Sequence, residues 1–313
     1  MKSQARNSTT VFAYLGPAGT FTELALAQIP EAAGQTWLPL SSVDEALAAV
    51  LKGRAKFAVV PVESSVEGGV GATLDALATL QNLRIYGEYL VPVNFNLVAR
   101  TGVKLADVKT VAAHPVAYGQ VRAWLQTNLK NHKHLMATSN AAAAADLETS
   151  GADAAVSTPN ITDHYGVKIL AKNIATNKNA QTRFLLVGKA GQIPKRTGSD
   201  KTSVIIELPT DRPGTLLELL EQFAVRGVNL SRIESRPIGD RLGRYRFNID
   251  ANGHIDDQAV SEALLGLHRF SPSLTFLGSY PRADKEKSVH QGNNTNEVFE
   301  TAEKWLKRLR SGK

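Results

Sequence analysis

The chain has 313 residues, enough for two domains of ordinary size, and its 43% hydrophobic and 21% charged residues are close to the averages of globular proteins. It contains no cysteine, which excludes disulfides, a thiolate nucleophile and zinc-thiolate sites. The formal net charge is +7, but no basic run is interleaved with aromatic residues, so we expect no nucleic-acid partner.

The N-terminal residues 1–10 are polar and lack the apolar stretch of a signal peptide. No segment further along approaches the roughly 18 apolar residues that a membrane-spanning helix needs. We therefore expect a cytoplasmic protein that has no membrane contact.

Short apolar runs alternate with helical patterns up to about residue 188. Strands are predicted at 11–15 and 57–62, with helices from residue 21 and at about 72–80. This alternation is typical of α/β proteins with a largely parallel sheet. It predicts a first lobe of about residues 10–89.

A second lobe is predicted at about residues 90–175. Residues 90–100 form the predicted crossover strand, and two helices and a short strand follow, at 114–129, after Ser139 and at 154–157. The strand 182–187 is expected to return to the first lobe, which then also holds 176–190. Together the lobes form one predicted domain, 10–190.

A linker is predicted at residues 191–200, where turn-forming residues show no periodicity. The module at 201–281 has the order βαββαβ, the order of ferredoxin-like folds. Leu216, Leu219, Leu220 and Phe223 mark one face of its first helix, and residues 239–243 form a turn-rich hairpin connection. The tail 282–313 is polar, with a hint of one amphipathic terminal helix.

Four segments carry candidate chemistry. Residues 14–23 run from a strand through a glycine turn into a helix, and Thr20 with Glu23 matches a capping box. The free amides of a helix start can hold a carboxylate, although a plain capped turn would look the same. Residues 61–71 combine small residues with two carboxylates, which suits a ligand loop or a solvated one.

The third segment joins His114, before a proline, to Ser139 and Asn140 at the start of an alanine-rich helix. A helix N-cap accounts for Ser139 or Asn140, and His114 could be an ordinary turn residue. The fourth segment, 179–184, places Arg183 at the start of an apolar strand. A guanidinium offers a rigid fork for a carboxylate.

Taken in order, these segments resemble the prephenate dehydratase family, whose hallmark is a Thr-Arg-Phe triplet, here 182–184. The family's Gly-Pro-x-Gly-Thr turn matches 16–20, its Pro-x-Glu-Asn-Ser segment matches 61–65, and its His-Pro-x-Ala segment matches 114–117. Ser64 departs from the pattern because it stands where the family usually has Asn, and a single hydroxyl replaces an amide there.

The resemblance implies an α/β, two-lobed, periplasmic-binding-protein-like (type II) catalytic domain, joined to an α+β ferredoxin-like ACT domain. It implies no metal and no organic cofactor. The implied catalytic residues are Thr182, Arg183, Phe184, Glu63 and Ser65. The implied substrate-binding residues are Gly19, Thr20, Thr22, Ser64, His114, Ser139 and Asn140.

In the C-terminal module, residues 214–216 and 234–237 resemble the two motifs with which ACT domains of this family bind phenylalanine. The implied effector residues are Gly214, Thr215, Leu216, Asn229, Leu230, Glu234, Ser235 and Arg236. The family's effector lies between ACT domains of different subunits, which implies a homodimer or homotetramer. A surface turn and a buried strand are the alternative, but they would leave Arg236 unexplained.

The implied reaction converts prephenate to phenylpyruvate with loss of carbon dioxide and hydroxide. We expect Arg183 to bind one substrate carboxylate and the helix start at Thr20 and Thr22 to hold the other anionic end. Thr182 is the expected donor to the departing hydroxyl, helped by Glu63 or water. Arogenate dehydratase, or a non-catalytic amino-acid-sensing protein, would fit the same pattern.

Overall fold

The computed structural model describes residues 9–240, 243–288 and 292–312. Within these residues the chain forms two compact units, the first holding 9–73 and 89–184 and the second holding 74–88 and 185–312. The domain limits expected from the sequence, 10–190 and 201–281, are drawn differently and stay a prediction.

The regular elements follow the expected alternation and add some that the sequence did not reveal. In chain order they are β1 (Val11–Leu15), α1 (Phe21–Leu26), β2 (Thr36–Leu40), α2 (Val43–Leu51), β3 (Phe57–Ser64), β4 (Gly68–Gly69), α3 (Gly71–Thr79), β5 (Leu83–Pro92), β6 (Asn96–Arg100), β7 (Thr110–Ala113), α4 (Pro115–Asn128), β8 (Lys133–Met136), α5 (Asn140–Ala145), β9 (Ala154–Ser157), β10 (Val167–Ala171), β11 (Gln181–Lys189), β12 (Asp200–Glu207), α6 (Thr215–Ala224), β13 (Leu230–Pro237), β14 (Tyr245–Asn252), α7 (Gln258–Phe270), β15 (Leu274–Pro281) and α8 (Asn296–Arg310).

Three sheets organise these elements. Their strand orders are β2-β1-β3-β11-β5, with β4 paired to β3, then β10-β6-β9-β7-β8, and β13-β14-β12-β15. Strand β1 is parallel to both β2 and β3. The carboxyl ends of these three strands therefore share one edge of the first sheet, which is where ligands bind in open α/β sheets.

The second sheet is buried on both faces. Residues that alternate along its strands enter two separate apolar clusters: Leu97 and Ala99 join one, and Val98 joins the other. Helix α4 covers the first cluster and α5 the second. This arrangement explains the near-continuous apolar runs of strands in this lobe, since each face of the sheet needs its own set of buried side chains.

The second unit contains the βαββαβ order, which confirms the ferredoxin-like prediction. Its sheet is antiparallel throughout. Leu219 and Phe223 of α6 are buried in the core as expected, but Leu216 is 40% exposed. The predicted helix face was therefore wrong at its first position, because the first turn of α6 extends past the apolar core.

The predicted single strand at 90–100 was also wrong. Strand β5 ends at Pro92 and β6 begins at Asn96. Proline has no N–H to give to a sheet ladder, so it ends the pairing. Val93 and Phe95 then turn into the core of the second lobe.

The predicted terminal helix is present as α8. Parts of two other predictions, at 241–242 in the hairpin connection and at 289–291 and 313 in the tail, lie outside the described residues.

Among the described residues, no helix combines the length and the apolar character that crossing a bilayer requires. The same residues contain no group of three or more histidine, aspartate or glutamate side chains placed to hold a metal ion.

A buried ion pair in the second unit supplies a stability test. Lys201 Nζ lies 2.9 and 3.1 Å from the two carboxylate oxygens of Glu88, and the side chains are 7% and 3% exposed. We expect Glu88→Ala to lower the free energy of unfolding by about 3–5 kcal/mol, because a buried charge loses its partner. Denaturant titration measures this loss.

The control replaces both partners. Glu88→Leu combined with Lys201→Met should cost much less than Glu88→Ala, since an apolar pair of similar volume is often neutral at such sites. Equal losses from the single and the double variants would contradict this account.

Candidate active site and effector site

The strongest candidate site lies where β3 ends and β11 begins. The Ser65 amide donates to the Gln181 carbonyl at 2.9 Å, and the Gln181 amide donates to the Ser65 hydroxyl, also at 2.9 Å. Ser65 therefore uses both its backbone and its side chain to hold the start of β11. Thr182 and Arg183 follow directly on that strand, so Ser65 positions them.

Arg183 lies beside Glu63 at this junction. The guanidinium Nε is 3.6 Å from the Glu63 carboxylate, and the arginine side chain is 7% exposed whereas the glutamate is 37% exposed. A buried cation is thus held next to a carboxylate that still reaches solvent. This contact orients the guanidinium of Arg183.

The triplet 182–184 divides between the two faces of its strand. Because side chains alternate along a strand, Thr182 and Phe184 project to the face opposite Arg183. Phe184 is 2% exposed and belongs to the apolar core, whereas Thr182 is half-buried. Packing in the core accounts for Phe184. Thr182 and Arg183 are the two members of the triplet whose side chains can form hydrogen bonds with a ligand.

The turn after β1 differs from the predicted capping box. Thr20 is the N-cap of α1 but its hydroxyl donates back to the Leu15 carbonyl at 3.4 Å, and the Glu23 carboxylate accepts the Gly19 amide instead. The capping-box prediction was therefore wrong. The Glu23 carboxylate accepts a hydrogen bond from the Gly19 amide, which the turn would otherwise offer to a ligand.

The second lobe contacts this turn closely. The Thr158 hydroxyl donates to the Gly19 carbonyl, and His164 Nε2 lies 2.9 Å from a Glu23 carboxylate oxygen. Gly19 has a φ of +80°, and a Cβ there would lie 2.7 Å from the Ile161 side chain. The positive φ strains any residue with a side chain, so it favours glycine at this contact between the two lobes.

Thr158 and His164 were missed by the sequence reasoning. Thr158 follows the buried strand β9, and a polar residue directly after such a strand was the available signal. Burial and the nearby Glu23 raise the pKa of the Tyr14 hydroxyl, so this group keeps its proton at neutral pH.

Two asparagines of the second lobe have buried amide oxygens without a hydrogen-bond partner in the described chain. They belong to Asn140, a predicted substrate residue, and to Asn160. The Asn140 backbone carbonyl is held by the Ser157 hydroxyl at 2.8 Å. Buried polar atoms normally find partners, so these oxygens can accept hydrogen bonds from a bound molecule.

Three predicted substrate residues make local backbone contacts. His114 Nδ1 accepts the Val116 amide at 3.3 Å, and the Ser139 hydroxyl accepts the Ala142 amide at 2.9 Å, each capping a helix. The Ser64 hydroxyl accepts the amides of the next turn, at 3.2 and 3.4 Å. Capping and turn formation account for these side chains without a ligand.

An open cavity of about 990 Å³ lies within the first unit, between the loop after β3 and helix α4. Glu67 lines it on one side and Gln120 on the other, and the Gln120 amide oxygen is buried without a hydrogen-bond partner in the described chain. Neither Thr182 nor Arg183 lines this cavity. It therefore adjoins the β3–β11 junction without containing it.

The predicted effector residues fall into two groups. Gly214 is the N-cap of α6 with a φ of 88°, and Thr215 behind it is buried, its hydroxyl donating to the Arg212 carbonyl at 3.0 Å. Leu216 and Asn229 are exposed, and Leu230 is half-buried. A ten-residue helix thus presents an open N-terminus, which suits a carboxylate.

The second group lies on β13, and its two charged members already have ion-pair partners. Glu234 pairs with Arg232 at 3.2 Å, and Ser235 is exposed. Arg236 makes a two-pronged contact with Asp75, at 2.5 and 3.3 Å, and Arg246 meets the same carboxylate at 2.8 Å. The expectation that Arg236 would be unexplained without an effector was wrong, because Asp75 is its partner.

The chain matches the family model described as prephenate dehydratase over residues 12–192, and the model of the ACT domain over residues 202–269. It is 46% identical to a prephenate dehydratase of Mycolicibacterium gilvum over 96% of this chain and 98% of that one.

Two solved structures are similar over most of the chain. The prephenate dehydratase of Arthrobacter aurescens, solved in complex with L-Phe, has a TM-score of 0.93 and 49% identity, covering 96% of this chain and 100% of that one. A protein described as a new type of quorum-quenching acylase has a TM-score of 0.78 and 29% identity, covering 87% and 98%.

The contacts of Asp75 predict that the stability of the folded chain falls at acidic pH. Hydrogen bonds from Arg236, followed by those from Arg246, lower the pKa of Asp75 below its ordinary value of 3.8. The folded state therefore favours the anion, and its stabilisation is complete above that value and lost as the pH falls through the lowered pKa. Because Asp75 is 41% exposed, we expect less than about 1 kcal/mol.

Denaturant midpoints measured between about pH 5 and pH 2 should fall more steeply for the wild type than for Asp75→Asn, which carries no titrating carboxylate at this position. Asp107→Asn, an exposed site in the first unit, is the matched control and should follow the wild type. Identical pH profiles for all three proteins would show that the Asp75 pairs contribute no stability.

Proposed function

Because the chain belongs to the prephenate dehydratase family, we propose that it is the carbon-oxygen lyase that converts prephenate to phenylpyruvate in phenylalanine synthesis. The observation that carries this proposal is the junction of β3 and β11, where Arg183 of the family triplet lies beside Glu63. A shared fold does not by itself fix a reaction. The residues at this junction therefore weigh more than the architecture.

Prephenate bears two carboxylates and a ring hydroxyl. In the proposed reaction the ring carboxylate leaves as carbon dioxide, its electron pair enters the ring, and the ring hydroxyl leaves with a proton as water. Aromatisation supplies the driving force. The protein has to orient the substrate and assist the leaving hydroxyl without over-stabilising the carboxylate that must lose its charge.

We assign Arg183 to the carboxylate that persists in the product. Its guanidinium is buried and is oriented by Glu63 at 3.6 Å, so the fork is held in place before substrate arrives. A charge-assisted contact to a preorganised guanidinium is stronger than one to a mobile cation. The main role of Glu63 is to position Arg183. Its carboxylate also reaches solvent, so it can exchange a proton with water.

Thr182 is the proposed donor to the leaving hydroxyl. Its side chain is half-buried and lies on the face of β11 opposite Arg183. A threonine hydroxyl is a weak acid, so it assists by a hydrogen bond and draws its proton from water. Such assistance contributes about 10² to 10⁴ in rate.

The turn at 16–20 is the proposed site for the other anionic end. The Glu23 carboxylate accepts the Gly19 amide and the Thr20 hydroxyl donates to the Leu15 carbonyl. The donors proposed for the substrate are therefore the backbone amides of Thr20 and Thr22 and the Thr22 hydroxyl. Thr22 is 4% exposed, which leaves Thr20 as the more accessible group. Asn140 adds an acceptor for a substrate hydroxyl.

We further propose that phenylalanine regulates the enzyme through the ACT domain. The related Arthrobacter protein was solved with L-Phe, and the open start of α6 at Gly214 can receive a carboxylate. An effector shared between ACT domains would require a homodimer or homotetramer. A cytoplasmic location fits a pathway enzyme of this kind.

Turnover of prephenate is the direct test. The purified chain should release phenylpyruvate, read by its ultraviolet absorbance in alkali, and should act on prephenate faster than on arogenate. Thr182→Ala should lower kcat at least tenfold, about 1.4 kcal/mol of barrier, with little change in KM. Thr149→Ala, an exposed threonine on a surface turn, is the control and should retain wild-type kcat.

Three outcomes would contradict these assignments. Faster turnover of arogenate than of prephenate would identify arogenate as the preferred substrate. Wild-type kcat in Thr182→Ala would remove Thr182 from the mechanism. Absence of phenylpyruvate together with cleavage of an N-acyl amide would favour the chemistry of the acylase that shares the fold.

Phenylalanine binding is tested by thermal unfolding. A ligand that binds only the folded state stabilises it by about 2.7 kcal/mol at a concentration of 100 Kd, so L-phenylalanine should raise Tm. Asn229→Ala should reduce that rise, because Asn229 is an exposed member of the proposed effector site. D-phenylalanine is the control ligand, and an equal rise with both enantiomers would contradict a specific site.

A further inference from the structure

Residues of the second lobe hold the turn at 16–20 by the backbone of one residue, Gly19. The Thr158 hydroxyl donates to the Gly19 carbonyl. The Glu23 carboxylate accepts the Gly19 amide with one oxygen, and its other oxygen lies 2.9 Å from His164 Nε2. The peptide groups on both sides of Gly19 are therefore tied to the second lobe, one directly and one through Glu23.

The hydrogen bond from Thr158 also fixes the next amide along the chain. The Gly19 carbonyl and the Thr20 N–H belong to one trans peptide group, which is planar, so the two point in opposite directions. A hydrogen bond that sets the direction of the carbonyl therefore sets the direction of the Thr20 N–H as well. This N–H is one of the donors proposed for the anionic end of the substrate.

His164 supplies the second partner of Glu23. The Glu23 side chain is 10% exposed, and burying a carboxylate to this degree is costly unless it is paired and hydrogen-bonded. Because a carboxylate only accepts hydrogen bonds, His164 Nε2 carries a hydrogen and donates it. The imidazole therefore holds the Glu23 carboxylate in the position where its other oxygen meets the Gly19 amide.

The residues that contact the turn come from one short segment after β9. Thr158 and Ile161 are fully buried, and a Cβ built on Gly19 would lie 2.7 Å from the Ile161 side chain and 3.5 Å from the His164 ring. Side chains in such close contact leave the turn little room to shift. A single segment of the second lobe thus restrains the turn by packing and by hydrogen bonds.

We propose that Thr158 and His164 are positioning residues that hold the backbone of the turn at 16–20 in the geometry that receives the anionic end of the substrate. This inference rests on the proposed function, which takes the turn as a substrate site. Neither side chain has to touch the substrate. Thr158 acts through the Gly19 carbonyl, and His164 acts through Glu23.

The kinetic effect of losing this support depends on which end of the substrate the turn receives. Arg183 is assigned to the carboxylate that persists in the product, so the turn receives the ring carboxylate, which leaves as carbon dioxide. That group loses its charge as the transition state forms, so a contact to it is stronger in the ground state. Weakening such a contact raises KM without lowering kcat, in contrast to the loss of Thr182.

Steady-state kinetics of Thr158 variants test the proposal. Thr158→Val removes the hydroxyl, so KM for prephenate should rise about tenfold while kcat stays within about twofold of the wild type. Thr158→Ser keeps the donor and should restore the wild-type KM. Thr202→Val is the matched control, because Thr202 is equally buried and its hydroxyl also donates to a glycine carbonyl, that of Gly253, at 2.8 Å. It should leave KM and kcat unchanged.

His164 variants and hydrogen exchange complete the test. His164→Ala should raise KM in the same way, whereas His164→Gln, whose side-chain amide can donate to Glu23, should stay close to the wild type. Hydrogen exchange read by mass spectrometry reports the turn without any turnover. Peptides that cover residues 16–23 should exchange faster in Thr158→Val and His164→Ala than in the wild type, and at the wild-type rate in Thr202→Val.

Each contrary result overturns the proposal. A wild-type KM in Thr158→Val, or an equal rise in Thr158→Ser, would show that the hydroxyl does not position the turn. A lower kcat at unchanged KM would assign the segment a different role, and unchanged exchange at 16–23 would show that the second lobe does not hold the turn. These results leave the proposed function standing if the wild type converts prephenate, whereas a wild type that does not convert it overturns both.

Discussion

The candidate active site depends on one pair of hydrogen bonds between residues 116 positions apart in the chain. Ser65 and Gln181 exchange a backbone bond and a side-chain bond where β3 ends and β11 begins. Since this junction fixes the start of β11, it also fixes Arg183 beside Glu63. A charged side chain as deeply buried as Arg183 is stabilised by a nearby opposite charge, which Glu63 supplies here.

The turn after β1 shows how the two lobes of the first unit meet. Gly19 contacts Thr158 and Ile161 of the second lobe, and its carboxylate neighbour Glu23 contacts His164. Glu23 serves both sides, because one oxygen holds the turn and the other faces the imidazole. A residue that looks like a helix cap in the sequence is therefore part of a contact between lobes.

Arg236 illustrates how a motif can be matched while its role stays open. Its guanidinium pairs with Asp75, which Arg246 also contacts. This ion pair accounts for an arginine at this position of β13 without a bound effector. The start of α6 at Gly214 is the part of the effector motif that has no side-chain cap.

The alternation of strands and helices, the ferredoxin-like module and the family could be predicted from the sequence, because they follow from periodicity and from short motifs of neighbouring residues. The strand break at Pro92 and the exposure of Leu216 were decided by tertiary structure, since both depend on where the core ends.

The same holds for the site. The triplet 182–184 could be found in the sequence, but three contacts join residues far apart in the chain: Arg183 with Glu63, Thr158 with Gly19, and Arg236 with Asp75. Local patterns carry no information about such contacts. Packing and hydrogen bonding between distant segments decide them, because each buried charge or polar group must find a partner wherever the fold places one.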